Sequence, residues 1–373
     1  MVAAPAVEQS YAFDHDGYAF WVFALPLLCS AAIEAPLALA SDRIGQRRVL
    51  AFGMLLLSAA LLLGASTREA WLFSLALALA GAGSGAACAA AQGVLIATSP
   101  LGSARAMSRW TAYAALGDAL TPLLIAGLAW LGFGYRAALF TLGLATFVQA
   151  LFYLRAGPED VAATSEDEET ASLARALRVL VHQPRLRVLL FTSSLCCLLD
   201  EVVVALAALR MRLDQAQSLS VVTAGSTAIA VGGIVGAVLS DRLLAHTDAR
   251  RVLIGSSFVS LLGLLLITQT SSVFVSLLLL ALLGCAVAPH HALIQAAAYE
   301  QLPGRAGLVN AALQLFVVVE IAAPLAIGMI SAQLSLSAGL LALSVQPLVV
   351  GWVALRTLGP RTPEIAREDA PRS

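Results

Sequence analysis

The chain has 373 residues, of which 60% are hydrophobic and 12% charged, with a formal net charge of −1. Soluble globular domains run about 45–50% apolar and about 25% charged, so a water-soluble fold is excluded and lipid must cover much of the surface. The near-zero charge gives no bulk attraction to nucleic acid, and all 22 basic residues are arginine.

A bilayer core takes roughly 20 apolar residues per helix. By that measure spans are expected at 19–40, 49–66, 71–97, 107–131 and 136–156. A polar stretch follows at 157–185. Gly157-Pro158 breaks the preceding helix there, residues 165–169 read SEDEE, and "ASLARALRVLVHQPRLR" has apolar residues at helical spacing among arginines. That last pattern predicts a short amphipathic helix on the membrane face, with His182 as an interfacial residue. Six more spans are expected at 187–209, 217–240, 251–269, 272–298, 306–332 and 336–356, giving about eleven. Cys29, Cys88, Cys196, Cys197 and Cys285 all sit inside apolar runs and read as core residues, not as a disulfide framework. The N-terminus lacks the basic region of a cleavable signal peptide.

The loop "SDRIGQRR", Ser41 to Arg48, concentrates charge between two apolar runs. If it is cytoplasmic, most other arginines fall on the same side. Only Arg68, Arg136, Arg210 and Arg212 fall outside. The positive-inside rule then puts the C-terminus in the cytoplasm.

The chain repeats itself. "VLSDRLLAHTDARRVL" (Val238 to Leu253) echoes "LASDRIGQRRVL" (Leu39 to Leu50), and "VVEIAAPLAIGM" echoes "LGDALTPLLIAG". In the second pair Asp118 falls on Glu320 and Pro122 on Pro324. Two charged landmarks at nearly one offset indicate a tandem duplication of a helical bundle, an architecture of transporters.

With these motifs the sequence resembles the major facilitator superfamily. Asp42, Arg43, Gly45, Arg47 and Arg48 fit the signature between that family's second and third helices, with Gln46 at a position that is usually basic and Ala38 in place of the leading glycine. In the second half Asp241 and Arg242 fit, and Ala237 replaces the glycine. The arginine that many proton antiporters carry in the fourth helix is Leu79 here, and their fifth-helix Gly-Pro pattern survives only as Gly117 and Pro122.

The resemblance implies an all-α polytopic protein of two helical halves. The N-terminal half would be 1–156, the central loop 157–185, the C-terminal half 186–358 and a cytoplasmic tail 359–373. It also implies a gating role for the charged loop. The physical reading agrees: an Asp at a helix end can hydrogen-bond arginines across a loop or cap a neighbouring helix. The alternative is a plain topological anchor. In the family two helices precede this loop, whereas here one does, so the first helix is expected to be incomplete.

Ionised carboxylates at the bilayer centre cost about 2.5–3.5 kcal/mol each on insertion scales. Glu34, Asp118, Asp200, Glu201 and Glu320 lie inside expected spans and should face a cavity or one another. His290 and His291 are the candidate bases, and no arginine lies mid-span. An acidic cavity favours a cationic or neutral solute, proton coupling, or both. "GAGSGAA" (Gly81 to Ala87) lies inside a span with no preceding strand, so it reads as close helix packing and not as a nucleotide loop. No catalytic, zinc or phosphate-loop pattern is legible and no cofactor is expected.

The expectation is a monomeric secondary transporter of a small solute, multi-pass in a bacterial inner membrane, working by alternating access and not an enzyme. A non-transporting membrane sensor or scaffold, or a degenerate paralogue, is the alternative.

Overall fold

The computed structural model describes residues 7, 10–11, 21–22, 25–155, 173–215 and 217–358. The acidic linker 165–169, the tail 359–373 and nearly all of the N-terminal stump fall outside them. Among the described residues the chain is helical and has no strand.

The first group of helices is α1 (Leu25–Ile44), α2 (Gln46–Ser66), α3 (Ala70–Thr98), α4 (Ser103–Trp130) and α5 (Tyr135–Arg155). The expected amphipathic helix is α6 (Leu173–His182). It buries Ala176 and Leu180 and exposes Leu177 and Val181. Next come α7 (Pro184–Leu195), a π-helical turn (Leu198–Val202), α8 (Val203–Leu213), α9 (Leu219–Leu244), α10 (Ala249–Gln269) and α11 (Val273–Glu300). The chain closes with α12 (Ala306–Gln314), α13 (Val317–Gln333), α14 (Leu336–Ala342) and α15 (Val345–Arg356).

Nine helical segments among the described residues are long and apolar enough to cross a membrane, or ten if the bent pair α12–α13 is one span. Relative to the expected eleven, α1 is outside this tally. It carries Glu34, Pro36 and Asp42 within 20 residues. Large apolar side chains stand on the outer faces of the spans, with Phe152 69%, Phe258 67% and Phe274 70% exposed. Only lipid covers such a belt. The protein is a multi-pass integral membrane protein.

The chain forms two compact units, each drawn from both sequence repeats. Unit 1 is Met1–Ser99, Gly117–Gln183 and Leu302–Val317. Unit 2 is Pro100–Leu116, Pro184–Gln301 and Val318–Ser373.

In unit 1, small residues set the helix spacing. A Cβ on Gly83 would lie 2.6 Å from the Leu57 nitrogen and one on Gly53 would lie 2.8 Å from the Gly83 oxygen, so α2 and α3 touch backbone to backbone. The "GAGSGAA" stretch is therefore a packing surface, as in other membrane helix pairs. Unit 2 repeats the device: a Cβ on Gly236 would meet the Cys285 oxygen at 2.1 Å, joining α9 to α11.

Arg136 and Arg210, two of the four arginines expected apart from the rest, cap helix ends. Arg136 donates to the Ala65 carbonyl at 3.2 Å and to the Thr67 carbonyl, at the C-terminus of α2. It also stacks over Tyr11 and Tyr135. Arg210 donates to the carbonyls of Ile267, Thr268 and Thr270, at the C-terminus of α10. Helix C-termini leave carbonyls without intrahelical partners and carry partial negative charge.

Candidate functional site

The charged loop begins inside α1 and ends at the start of α2. Gly45 takes φ 96° to turn between them, a conformation that favours glycine. Ser41 hydrogen-bonds the Ala38 carbonyl of its own helix at 2.7 Å. This leaves Asp42 aimed away from α1. Its two carboxylate oxygens accept the backbone N–H groups of Gly307 and Leu308, each at 2.8 Å. These are among the orphan N–H groups of the first turn of α12, where the helix dipole is positive. Arg305 lies close enough to add a favourable charge. Gly307 is required by the approach, because a Cβ there would sit 2.1 Å from the Ala38 oxygen. Arg43 and Arg48 are exposed and Arg47 is half-buried.

The second triplet is built differently. Asp241, near the end of α9, accepts from Arg105 Nε at 2.9 Å and from Arg109 Nε at 3.1 Å, both on the first turns of α4. Ser240 is paired with Ser108 at 3.3 Å. Arg242 is exposed. Both Asp residues thus meet the beginning of a helix from the other sequence repeat, one through backbone and one through side chains. Neither Gly307 nor the two arginines were singled out as partners from sequence. The repeat register held the signal, since α4 and α12 are equivalent helices.

Above the Asp42 clamp, α12 has two further attachments. Asn310 Nδ2 donates to the Ala89 carbonyl at 3.4 Å. Gln314 Nε2 donates to Glu34 Oε2 at 2.7 Å, and Ser30 Oγ donates to Glu34 Oε1 at 2.5 Å. Gly85 leaves the space for this carboxylate, because a Cβ there would fall 2.2 Å from Glu34 Cδ. Glu34 is half-buried and bonded to Gln314 of α12.

The other membrane-embedded acids stand apart from this chain of contacts. Asp118 is exposed on α4 in unit 1. Asp200 and Glu201 are exposed on the π-helical turn of unit 2, and Glu320 is exposed on α13. Packing of Val319, Ala323 and Ile327 against Leu198 and Leu199 brings α13 to that turn. Glu320 then interacts with Glu201 and Ser194, and Cys197 with all three carboxylates. The π turn frees the Leu199 N–H, which donates to Gln346 Oε1 at 2.7 Å. Gln346 Nε2 lies 3.5 Å from His290 Nδ1. His290 and Gln346 are both fully buried. His290 thus lies in the interior of unit 2, and His291 is partly exposed. Among the described residues no group of three or more His, Cys, Asp or Glu is spaced to hold a metal ion.

Known proteins agree with this architecture. The family model of the Major Facilitator Superfamily matches residues 1–326. No curated protein matches the chain. Among solved structures, the fold is similar to FucP in the outward conformation, at 14% identity and TM-score 0.77, over 95% of this chain and 93% of that one. Another structure of FucP, described as the E. coli fucose:proton symporter, gives 14% identity and TM-score 0.76 over the same shares. The proton:xylose symporter XylE gives 12% identity and TM-score 0.76 over 96% and 91%. The human organic anion transporter MFSD10 gives 17% and 0.67 over 88% and 82%. At these identities the likeness is one of fold, and with the family match it supports a secondary transporter. The chain belongs to the Major Facilitator Superfamily.

Proposed function

We propose that this protein moves a small cationic or neutral solute across a bacterial inner membrane by alternating access. The observation that carries the reading is the pair of Ser-Asp-Arg triplets, each engaging the start of a helix from the other repeat. A contact of that kind can hold one side shut and must break for that side to open. Asp42 and Asp241 are the clamps of cytoplasmic closure. Arg43, Gly45, Arg47, Arg48 and Arg242 shape and anchor the loops that carry them. The C-terminus lies in the cytoplasm. The two halves, 1–156 and 186–358, rock about the 157–185 connection. Asp118 in unit 1, and Asp200, Glu201 and Glu320 in unit 2, offer sites for coupled protons.

Reconstitution of the purified chain into proteoliposomes tests this. Radiolabelled cationic and neutral solutes are screened for flux, with and without a pH gradient. The expected result is saturable flux of at least one solute that Asp42→Ala reduces severalfold. A folded chain that moves nothing, and whose introduced cysteines keep one fixed side-accessibility, would support a sensor or scaffold instead.

A further inference from the structure

We propose that a groove between α9, α10 and α11 of unit 2 binds an anionic phospholipid, with its phosphate on Arg251 and one acyl chain laid along the groove. The groove has a volume of 390 Å3 and is lined by these three helices and the turn between α9 and α10. Leu239, Leu243, Val259, Leu282 and Pro289 make its wall. Along α10 it runs from Arg251 to Val259, about 12 Å at the helical rise. Leu239, Leu243 and Leu282 are 45%, 42% and 47% exposed, so the wall opens on the apolar belt that lipid covers.

The charge on the groove selects the headgroup. Arg251 is the one charged side chain of its lining, and it stands on the first turn of α10. Among the described residues it is exposed and makes no ion pair. The acids nearest in sequence are placed elsewhere. Asp241 accepts from Arg105 and Arg109. Asp248 lines a neighbouring polar cavity of 220 Å3 together with Arg105, Arg250 and Glu300. That cavity sets two arginines against two acids, whereas the groove carries a cation without a counter-charge. The start of α10 adds the positive end of a helix dipole at the same place.

One kind of molecule uses both parts. A phosphodiester presents two oxygens to the forked donors of a guanidinium. The arginine stem can lie along apolar surface while its head stays at the polar boundary. An acyl chain then covers the wall below. A zwitterionic lipid brings its own cation beside the phosphate and gains less from Arg251. A free phosphate gains nothing from the wall. Gly255 also lines the groove, and a Cβ there would meet no neighbouring atom within 4 Å. A larger side chain at that position fills the groove without pressing on another helix.

The site goes beyond the transporter reading, and its occupancy is read without flux. The purified full-length chain in a neutral detergent is titrated with phosphatidylglycerol, with phosphatidylcholine of the same acyl chains, or with glycerol phosphate, at constant ionic strength, and thermal unfolding is followed. We expect a saturable rise in Tm with phosphatidylglycerol and none with glycerol phosphate. Half-saturation should come at about fivefold less phosphatidylglycerol than phosphatidylcholine, the scale of one arginine at an anionic membrane surface. Arg251→Gln should remove that preference. Arg356→Gln, which changes an exposed arginine outside the groove, should keep it. Gly255→Leu should weaken both lipids and leave the lipid-free Tm unchanged. If Arg251→Gln does not fold, Gly255→Leu still decides. Equal half-saturation by the two lipids, a response to glycerol phosphate matching that to phosphatidylglycerol, a preference lost equally in Arg356→Gln, or lipid responses untouched by Arg251→Gln and Gly255→Leu overturns the site.

Discussion

The two Ser-Asp-Arg triplets share sequence but not chemistry. Asp42 is held by two backbone N–H groups of α12, and Asp241 by two guanidinium groups of α4. With Asp118 set on Glu320, Arg105 falls on Gly307 and Arg109 on Ala311. One residue at an equivalent position therefore decides the mode. Glycine lets the helix N-terminus come within backbone reach of the carboxylate. Arginine keeps the backbone away and supplies its own charge.

The difference has energetic consequences. Hydrogen bonds to a charged group contribute about 1.5–3 kcal/mol each. Exposed ion pairs contribute about 0–1 kcal/mol. The side chains of Arg105, Arg109 and Asp241 are 25%, 48% and 19% exposed. The Asp42 clamp should thus be the stronger of the two, and the Asp241 clamp the one that salt and small changes can adjust.

The largest effect is expected at Gly307. Gly307→Ala places a Cβ against Ala38, Ser41 and Asp42 and should abolish the backbone clamp. Transport should fall more than tenfold, and labelling of cysteines on the cytoplasmic side should rise. Normal transport and labelling in that variant would mean that the close approach is dispensable. Asp42→Ala comes next. It loses both charged hydrogen bonds, about 3–6 kcal/mol of closure if they add, and its labelling should resemble that of Gly307→Ala. Asp42→Asn retains one acceptor oxygen and should lie between Asp42→Ala and the unmodified chain.

The Asp241 side should respond less. Arg109→Ala removes the more exposed partner and should change labelling less than about fivefold, the range of a weak ion pair. Arg105→Ala should have a larger effect than Arg109→Ala, because the pair is shorter and better covered. A reversed order would show that exposure does not set the strength of this clamp.

Much of the fold was legible because lipid imposes simple rules. Span lengths, the amphipathic α6 and the two triplets all follow from apolar runs and charge placement. The small-residue stripe also read correctly as packing, since Gly81, Gly83 and Gly85 lie where Ser30, Leu57 and Glu34 approach. What the sequence did not reveal depends on tertiary approach. The partners of Glu34, Gln314 and Ser30 on its two oxygens, come from tertiary approach that no local pattern announces. Asp200 and Glu201 were read on an ordinary helix, whereas the π turn depends on Gln346, nearly 150 residues away, and no local pattern announces it. The partners of Asp42 are backbone groups, which carry no residue-type signal except the glycine that admits them.

The measurement that tests the central comparison most directly is the salt dependence of closure in the unmodified chain and in Asp42→Asn and Asp241→Asn. Cytoplasmic-side cysteine labelling is followed from low salt to 1 M, where the screening length falls to about 3 Å. In the unmodified chain, salt should loosen the exposed Asp241 ion pairs while the Asp42 backbone clamp holds. The account therefore predicts a modest rise in labelling there, a steep rise in Asp42→Asn, which leans on the ion pairs, and a flat response in Asp241→Asn, which has lost them. Equal salt slopes in the two variants, or a steeper slope in Asp241→Asn, would contradict the assignment of a backbone clamp to Asp42 and an ion-pair clamp to Asp241.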